Sequence, residues 1–301
     1  MSIRERVLRA IALNREPGFH FAGNLAGISF ETTASEAARV TLESGPWCME
    51  PDGQVNLGFA AMLVDMALSA SIRANLPPAA RLATVSLSLQ LTGVPLTGPL
   101  EATGEFQGFL GSGDGRQGLS RVRLAGASGL VGIAQGAFMP LDPPPGVTAF
   151  PLPRNPRAAP ILAPTDLTAE ERRILRHADA CLEEGEGGFV RRLVGFEPRR
   201  TKSGASAVMK NGAHVGNRVG VAQGGLLMGL AAATASEALP ARWSISSIHA
   251  LFVSPGQGKA LRARSKVIHQ GLMTAVARTE IVGPGGRRVL DATTAHARRP
   301  G

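Results

Sequence analysis

The 301-residue chain contains no tyrosine, and aromatic residues make up only 4% of it. A nucleic-acid reader that stacks bases on aromatic rings is not expected from such a composition. Cysteine is equally scarce. Cys48 and Cys181 are the only two, too few for a disulfide framework and in keeping with a reducing compartment. Long apolar runs are missing as well. The most membrane-like stretch, Val219 to Ala235, is broken by Gln223, Gly224 and Gly225 and is shorter than the ~20 residues a span needs, so it reads as a buried core helix. The first residues, MSIRERVLRAIALNREPG, hold no apolar stretch of signal-peptide length. The expectation is a soluble, cytoplasmic protein with no nucleic-acid and no membrane partner.

Motifs for several chemistries are also lacking. There is no G-x-S-x-G elbow, P-loop, H-E-x-x-H or C-x-x-C, and the six histidines show no metal-ligand spacing. No metal and no cofactor are expected. Gly113, Gly115 and Gly118 spell G-x-G-x-x-G, but an alternating strand pattern follows them where a dinucleotide site needs a helix. A hairpin loop is the better reading.

Charge and hydrophobicity are present in quantity. The chain carries a formal charge of +9, mostly from scattered arginine. This is compatible with a generally Arg-rich composition or with attraction of an anionic ligand. The apolar fraction of 44% and charged fraction of 18% support a sizeable core. Between residues 140 and 164, nine of 25 residues are proline. Such a segment suits neither helix nor central strand and reads as a stiff linker, dividing the chain into 1–139, the linker 140–164 and 165–301.

The two pieces repeat one another. Gly27 matches Gly195 and Val40 matches Val208 at an offset of 168 residues. Gly58 matches Gly225 and Leu63 matches Leu230 at 167. Leu76-Pro77 matches Leu239-Pro240 at 163, and Ser86, Pro95 and Gly98 match Ser246, Pro255 and Gly258 at 160. Each half is predicted to hold a leading helix (Ile3 to Leu13; Ala169 to Leu182, with Thr168 as N-cap) and a short strand around Gly27 or Gly195. A second strand follows (Ala37 to Leu42; Ala205 to Lys210), then a long apolar helix (Leu57 to Ala74; Gly224 to Ala238) and a run of antiparallel strands. This is an α+β plan.

Asp65 is the anomaly. It is the only charge between Asp52 and Arg73, inside a helix otherwise apolar on nearly all faces. A carboxylate there is costly unless paired, hydrogen-bonded or wet, and partial desolvation would fit it for general-base or nucleophilic work. In the second half, Gln223-Gly224-Gly225 heads the corresponding helix, where free N–H groups and the helix dipole favour a developing negative oxygen. Asn217 lies six residues upstream. The halves are not interchangeable, because Ala232 aligns with Asp65, Leu57 with Gly224 and Glu50 with Asn217. A site complete across the halves in one direction is incomplete in the other.

These residues resemble the hot-dog thioesterase superfamily, and within it the phenylacetate-pathway (PaaI-like) branch, whose pattern is N-x(5)-H-G-G-x(6)-D followed by a strand ending near P-x-x-x-G. Asn217-x(5)-Gln223-Gly224-Gly225 is similar to the first part, Gly58-x(6)-Asp65 to the second, and Pro95 with Gly98 or Pro255 with Gly258 to the strand end. The resemblance implies two tandem hot-dog units, each a long helix wrapped by an antiparallel sheet, forming an internal pseudo-dimer. It implies an acyl-CoA thioesterase with Asp65 as base or nucleophile, Gly224 polarising the carbonyl, Asn217 orienting water or thioester, Gln223 in place of the usual histidine, and Gly225 and Ser69 in substrate binding. A homodimer of double units is expected. The alternatives are an acyl-CoA-binding double hot-dog without turnover and a hot-dog hydratase, for which neither helix start supplies a histidine.

Overall fold

The computed structural model describes residues 1–16, 20–34, 37–143, 159–185 and 188–298. The first half runs α1 (Ile3–Asn14), α2 (Phe21–Leu25), β1 (Ser29–Thr33), β2 (Ala37–Leu42), α3 (Leu57–Arg73), β3 (Arg81–Leu91), β4 (Leu100–Leu110), β5 (Gln117–Gly126) and β6 (Gly129–Leu141). The second runs α4 (Ala169–Glu183), α5 (Phe189–Val194), β7 (Arg199–Thr201), β8 (Gly204–Lys210), α6 (Gly224–Ala238), β9 (Trp243–Phe252), β10 (Ala260–Gln270), β11 (Thr274–Val282) and β12 (Arg288–Arg298). Most of the Pro-rich linker, 144–158, lies outside the described residues.

All twelve strands form one antiparallel sheet in the order β1-β2-β4-β5-β6-β3-β9-β12-β11-β10-β8-β7. Each half contributes six strands in the same internal order, and the halves join edge to edge where β3 pairs β9 with Ser88 opposite His249. Joining there removes two edges that would otherwise invite further pairing. Ser88 and His249 are equivalent positions of the repeat. They meet at the pseudo-twofold axis and hydrogen-bond through Oγ and Nδ1 at 2.5 Å.

The two long helices sit on the inner face of this sheet and cross on small residues. A Cβ at Gly225 would lie 2.3 Å from the Met62 backbone, and one at Gly229 would lie 2.3 Å from the Gly58 Cα. Only glycine allows that approach. Nearly every side chain of α3 and α6 is buried, as their uniformly apolar sequences require. The leading helices begin with capping boxes, Ser2 with Glu5 and Thr168 with Glu171, and the N-cap expected at Thr168 is observed.

The α+β plan and nearly all element positions agree with the sequence reading. Three details differ. The short strands expected around Gly27 and Gly195 lie two to four residues further on, as β1 and β7, and each glycine, with φ near +64° or +73°, follows an additional buried short helix, α2 or α5. Sequences such as Phe21–Leu25 are poor helix formers by propensity, and burial of the whole turn overrides that. The match of Val40 with Val208 is one residue out. Val40 is buried opposite Ala102, whereas Val208 faces outward and Ala207 takes the buried place opposite Ala263. Likewise Ser86 corresponds to Ser247, not Ser246, since each stands just past a bulge in the equivalent strand pairs.

Candidate active site

Asp65 lies on the third turn of α3, and its side chain is 8% exposed. Its two carboxylate oxygens are held from opposite halves of the chain. Thr84 donates from Oγ1 to Oδ1 at 3.0 Å, and Gln223 donates from Nε2 to Oδ2 at 2.9 Å. Burial is the main influence on the carboxyl and pushes its pKa up from 3.8 to about 6, while the two hydrogen bonds, which favour the charged form, hold it from rising further.

Local sequence explains both partners. Thr84 reaches the acid because β3 carries a β-bulge against β6 at Val85. Without the extra residue, the alternation that buries Leu87 and Leu89 would turn Thr84 to the outer face; with it, Thr84 sits opposite the buried Phe138. Gln223 is the N-cap of α6. Its Oε1 accepts from the Leu226 N–H at 2.9 Å, so its amide can point only Nε2 at Asp65. The helix cap therefore fixes the donor for the acid.

Gly224 follows at the first position of α6. A Cβ there would stand 3.3 Å from Asp65 Oδ2 and 3.4 Å from the Phe252 ring. The missing side chain thus leaves the carboxylate open beside the helix N-terminus, where backbone N–H groups have no intrahelical acceptor. The remaining expected site residues divide. Gly225 packs against the Met62 backbone, which gives it a helix-crossing role. Ser69 donates to the Met66 carbonyl at 3.0 Å. Asn217 accepts from the N–H groups of Val219 and Val221 through Oδ1, which closes its own loop, and it has no hydrogen bond to Asp65.

That loop walls a cleft of about 570 Å³ between the halves, lined by His20 and Phe21 from the first half and by Gly216, Asn217, Arg218 and Gln257 from the second. Asp65 and Gly224 are not among its walls. His20 caps α2 by accepting from Gly23 N–H through Nδ1, and burial lowers its pKa to about 3, so it stays neutral. Among the described residues, no group of three or more His, Cys, Asp or Glu side chains is arranged to hold a metal ion.

The equivalent position in the other direction is filled differently. The loops before α3 and α6 share backbone hydrogen bonds at an offset of 167, such as Glu50 N–H to Gln54 O and Asn217 N–H to Val221 O, so Glu50 and Asn217 are true counterparts, as are Asn56 and Gln223. Asn56 caps Gly58 and bonds Glu50, and Glu50 pairs with Arg191. The acid's counterpart is Ala232, and Ile245 stands where Thr84 does, beside the equivalent bulge. Arg191 corresponds to Gly23. A bridge spans the halves on this side, whereas on the other Asn217 lines the cleft with His20 and Phe21.

Thr84 is the functional candidate that sequence reasoning missed. The alternation of β3 placed Val85 with Leu87 and Leu89 on one face, and no residue in the strand marks a bulge.

Residues 214–297 match the acyl-CoA thioesterase N-terminal domain family. No curated protein matches the chain by sequence. Solved structures share its fold over nearly its whole length. A conserved protein of unknown function with a hot-dog fold from Alicyclobacillus acidocaldarius is 10% identical, with a TM-score of 0.56 over 94% of this chain and 99% of the other. A 12:0-ACP thioesterase from Umbellularia californica is 9% identical, with a TM-score of 0.52 over 87% and 94% of the two chains. The tesB protein of Mycobacterium avium subsp. paratuberculosis is 13% identical, with a TM-score of 0.50 over 90% and 96%. The chain therefore folds as two tandem hot-dog units that share one sheet, and its second half is similar to the acyl-CoA thioesterase N-terminal domain family over residues 214–297.

Proposed function

We propose that this protein is an acyl-CoA thioesterase with one working site per chain, built by Asp65 and Thr84 from the first half and Gln223 and Gly224 from the second. The observation that carries the reading is the hydrogen bond from Gln223 to Asp65 across the halves, beside a glycine-headed helix.

Each oxygen of Asp65 retains a lone pair beyond the one used by Thr84 or Gln223. The carboxylate takes a proton from a water molecule as that water attacks the thioester carbonyl carbon. The carbonyl oxygen gains negative charge facing the N–H groups at the head of α6. Collapse of the adduct breaks the C–S bond, and the proton held by Asp65 passes to the departing sulfur, giving free acid and thiol. Burial keeps the site dry enough for these interactions to count. Asn217 acts through its loop, shaping the cleft that receives the polar part of the substrate, and Ser69 lines the path one turn beyond Asp65. The similarity of the Asn217-to-Gly225 segment to the PaaI-like pattern supports an assignment to that branch. A cytoplasmic site of action and a homodimer of double units, checked by light scattering, complete it.

The test is thiol release from a panel of acyl-CoAs by wild type and Asp65→Asn. The wild type is expected to turn over at least one of them, with Asp65→Asn slower by ~10²-fold or more. Tight binding of acyl-CoA by wild type with no thiol release would instead establish a binding protein without turnover.

A further inference from the structure

The charge of this chain is not evenly shared. Residues 1–139 hold 10 basic and 11 acidic side chains, whereas residues 165–301 hold 20 basic and 11 acidic ones. A generally Arg-rich composition would raise both halves alike, and the two halves have one fold, so the first half serves as an internal control.

The sheet register shows where the excess lies. On β4 the outward row is Glu101, Thr103 and Glu105; at the equivalent places on β10 stand Arg262, Arg264 and Lys266. The acids of the first row are neutralised by neighbours, Glu101 by Arg39 and Glu105 by Arg121. The cations of the second have no ion-pair partner among the described residues. The acids nearest them on the same face, Glu280 and Asp291, are engaged by Arg288 and Arg278. Arg199, exposed on β7, extends the basic surface past Ser206 to the sheet edge.

The same strand pair ends in an apolar tip. A bulge between Val267 and His269 leaves Ile268 unpaired and 61% exposed. At the turn into β11, Leu272 is 82% and Met273 66% exposed. Turns are ordinarily polar, and two large apolar side chains at a tip beside a row of unpaired cations match what an anionic bilayer offers: charged headgroups over an apolar interior. A nucleic acid or an acidic protein would answer the cations but would leave the tip without a partner.

We propose that the outer face of β10 and the β10–β11 tip form a peripheral docking surface for anionic lipid membranes, with Arg262, Arg264 and Lys266 on the headgroups and Leu272 and Met273 in the interface. The sequence reading gave no membrane partner. No helix among the described residues is long and apolar enough to cross a membrane, and peripheral docking needs none.

The test is co-sedimentation of the full chain with vesicles of phosphatidylcholine alone or mixed with phosphatidylglycerol, at low and high salt. Wild type is expected to pellet with the mixed vesicles at low salt, to be released by high salt, and to ignore phosphatidylcholine. The triple variant R262E/R264T/K266E installs the first half's own residues at these outward positions. It is expected to bind at least about 100-fold more weakly, since each Lys or Arg lost from an anionic surface removes a factor of about five and the two introduced glutamates add repulsion. L272S/M273S is expected to bind more weakly with the salt dependence kept, because it removes only the apolar anchor. An unchanged melting temperature identifies folded variants. Wild type that stays in the supernatant with mixed vesicles, binds both vesicle types equally, or binds as strongly after the triple substitution overturns the proposal. So does wild type that leaves vesicles alone and is retained by RNA or by an acidic protein.

Discussion

Asp65 on α3 is met by Gln223 and Gly224 of α6, whereas its counterpart on α6 is Ala232, and the counterparts of the two partners are Asn56 and Leu57. The backbone around both places is the same down to the loop hydrogen bonds. What differs is a set of side chains that change together. Where the acid is kept, its donors are kept, the helix head is glycine and the cleft is open. Where the acid is absent, Ile245 replaces the threonine, leucine heads the helix and the Glu50–Arg191 bridge spans the halves. One methylene illustrates the point. Gln223 is long enough to cap its helix and still reach across to Asp65, while Asn56 caps its helix and turns back to Glu50 in its own loop. Both scaffolds of the duplicated fold are kept, while the acid, its two donors and the glycine-headed helix occur together on one side only.

The largest expected effect comes from erasing the acid. Asp65→Asn keeps the volume and both hydrogen bonds, since the Thr84 hydroxyl can turn to accept, yet it removes the base. A fall in kcat of ~10²–10⁴-fold is expected in a thiol-release assay. Next is Gly224→Leu, which copies Leu57 onto the working side. Its Cβ would stand 3.3 Å from Asp65 Oδ2 and its branches would cover the carboxylate, for a loss of ~10²-fold in kcat/KM with the fold retained.

Thr84→Val is expected to cost about 10-fold in kcat and to move the pH profile. Turnover by wild type should rise with pH through about 6 and level off above it, as Asp65 ionises. Removing a donor to the ionised carboxylate raises its pKa, so the midpoint in the variant should lie higher, where a merely structural loss would leave it in place.

Stability should move the other way from activity. Asp65 has a folded pKa of about 6 against 3.8 in an unfolded chain. Between those values the folded state binds the proton more tightly, so this carboxyl's contribution to stability is greatest below 3.8 and declines as pH rises through about 6. Asp65→Asn should therefore stabilise the protein at neutral pH by roughly 1–3 kcal/mol. Chemical denaturation at neutral pH and near pH 4 checks this, with the gain shrinking at the lower pH. The smallest effect is expected from Glu50→Ala, on the bridged side. Arg191 is well exposed, so losing the pair should cost within about 1 kcal/mol and leave turnover near wild type.

Much of this was legible in the sequence because it rests on residue types that stand out. Asp65 is conspicuous in an apolar helix, and Gly224 and Gly225 are conspicuous where a helix begins. The ordered glycine and proline matches set most of the repeat. Thr84 was hidden because one bulged residue turns it inward, and a bulge leaves no mark in an alternating strand. The valine match at Val40 and Val208 misled because β1 carries one bulged residue, Glu31, that β7 lacks, which moves the register by one and exchanges faces. The roles of Gly225 and Asn217 needed coordinates, since a glycine against a helix backbone and a glycine against substrate look alike in sequence. The basic row on β10 emerges only when strand register shows which residues share the outer face.

On the proposed function, one of the two clefts works and the other is closed. Isothermal titration of the full chain with a non-hydrolysable thioether analogue of an accepted acyl-CoA tests it most directly. One analogue is expected to bind per chain, with binding lost in Gly224→Leu and retained in Glu50→Ala. Two analogues per chain, or one that survives Gly224→Leu and disappears with Glu50→Ala, would contradict it.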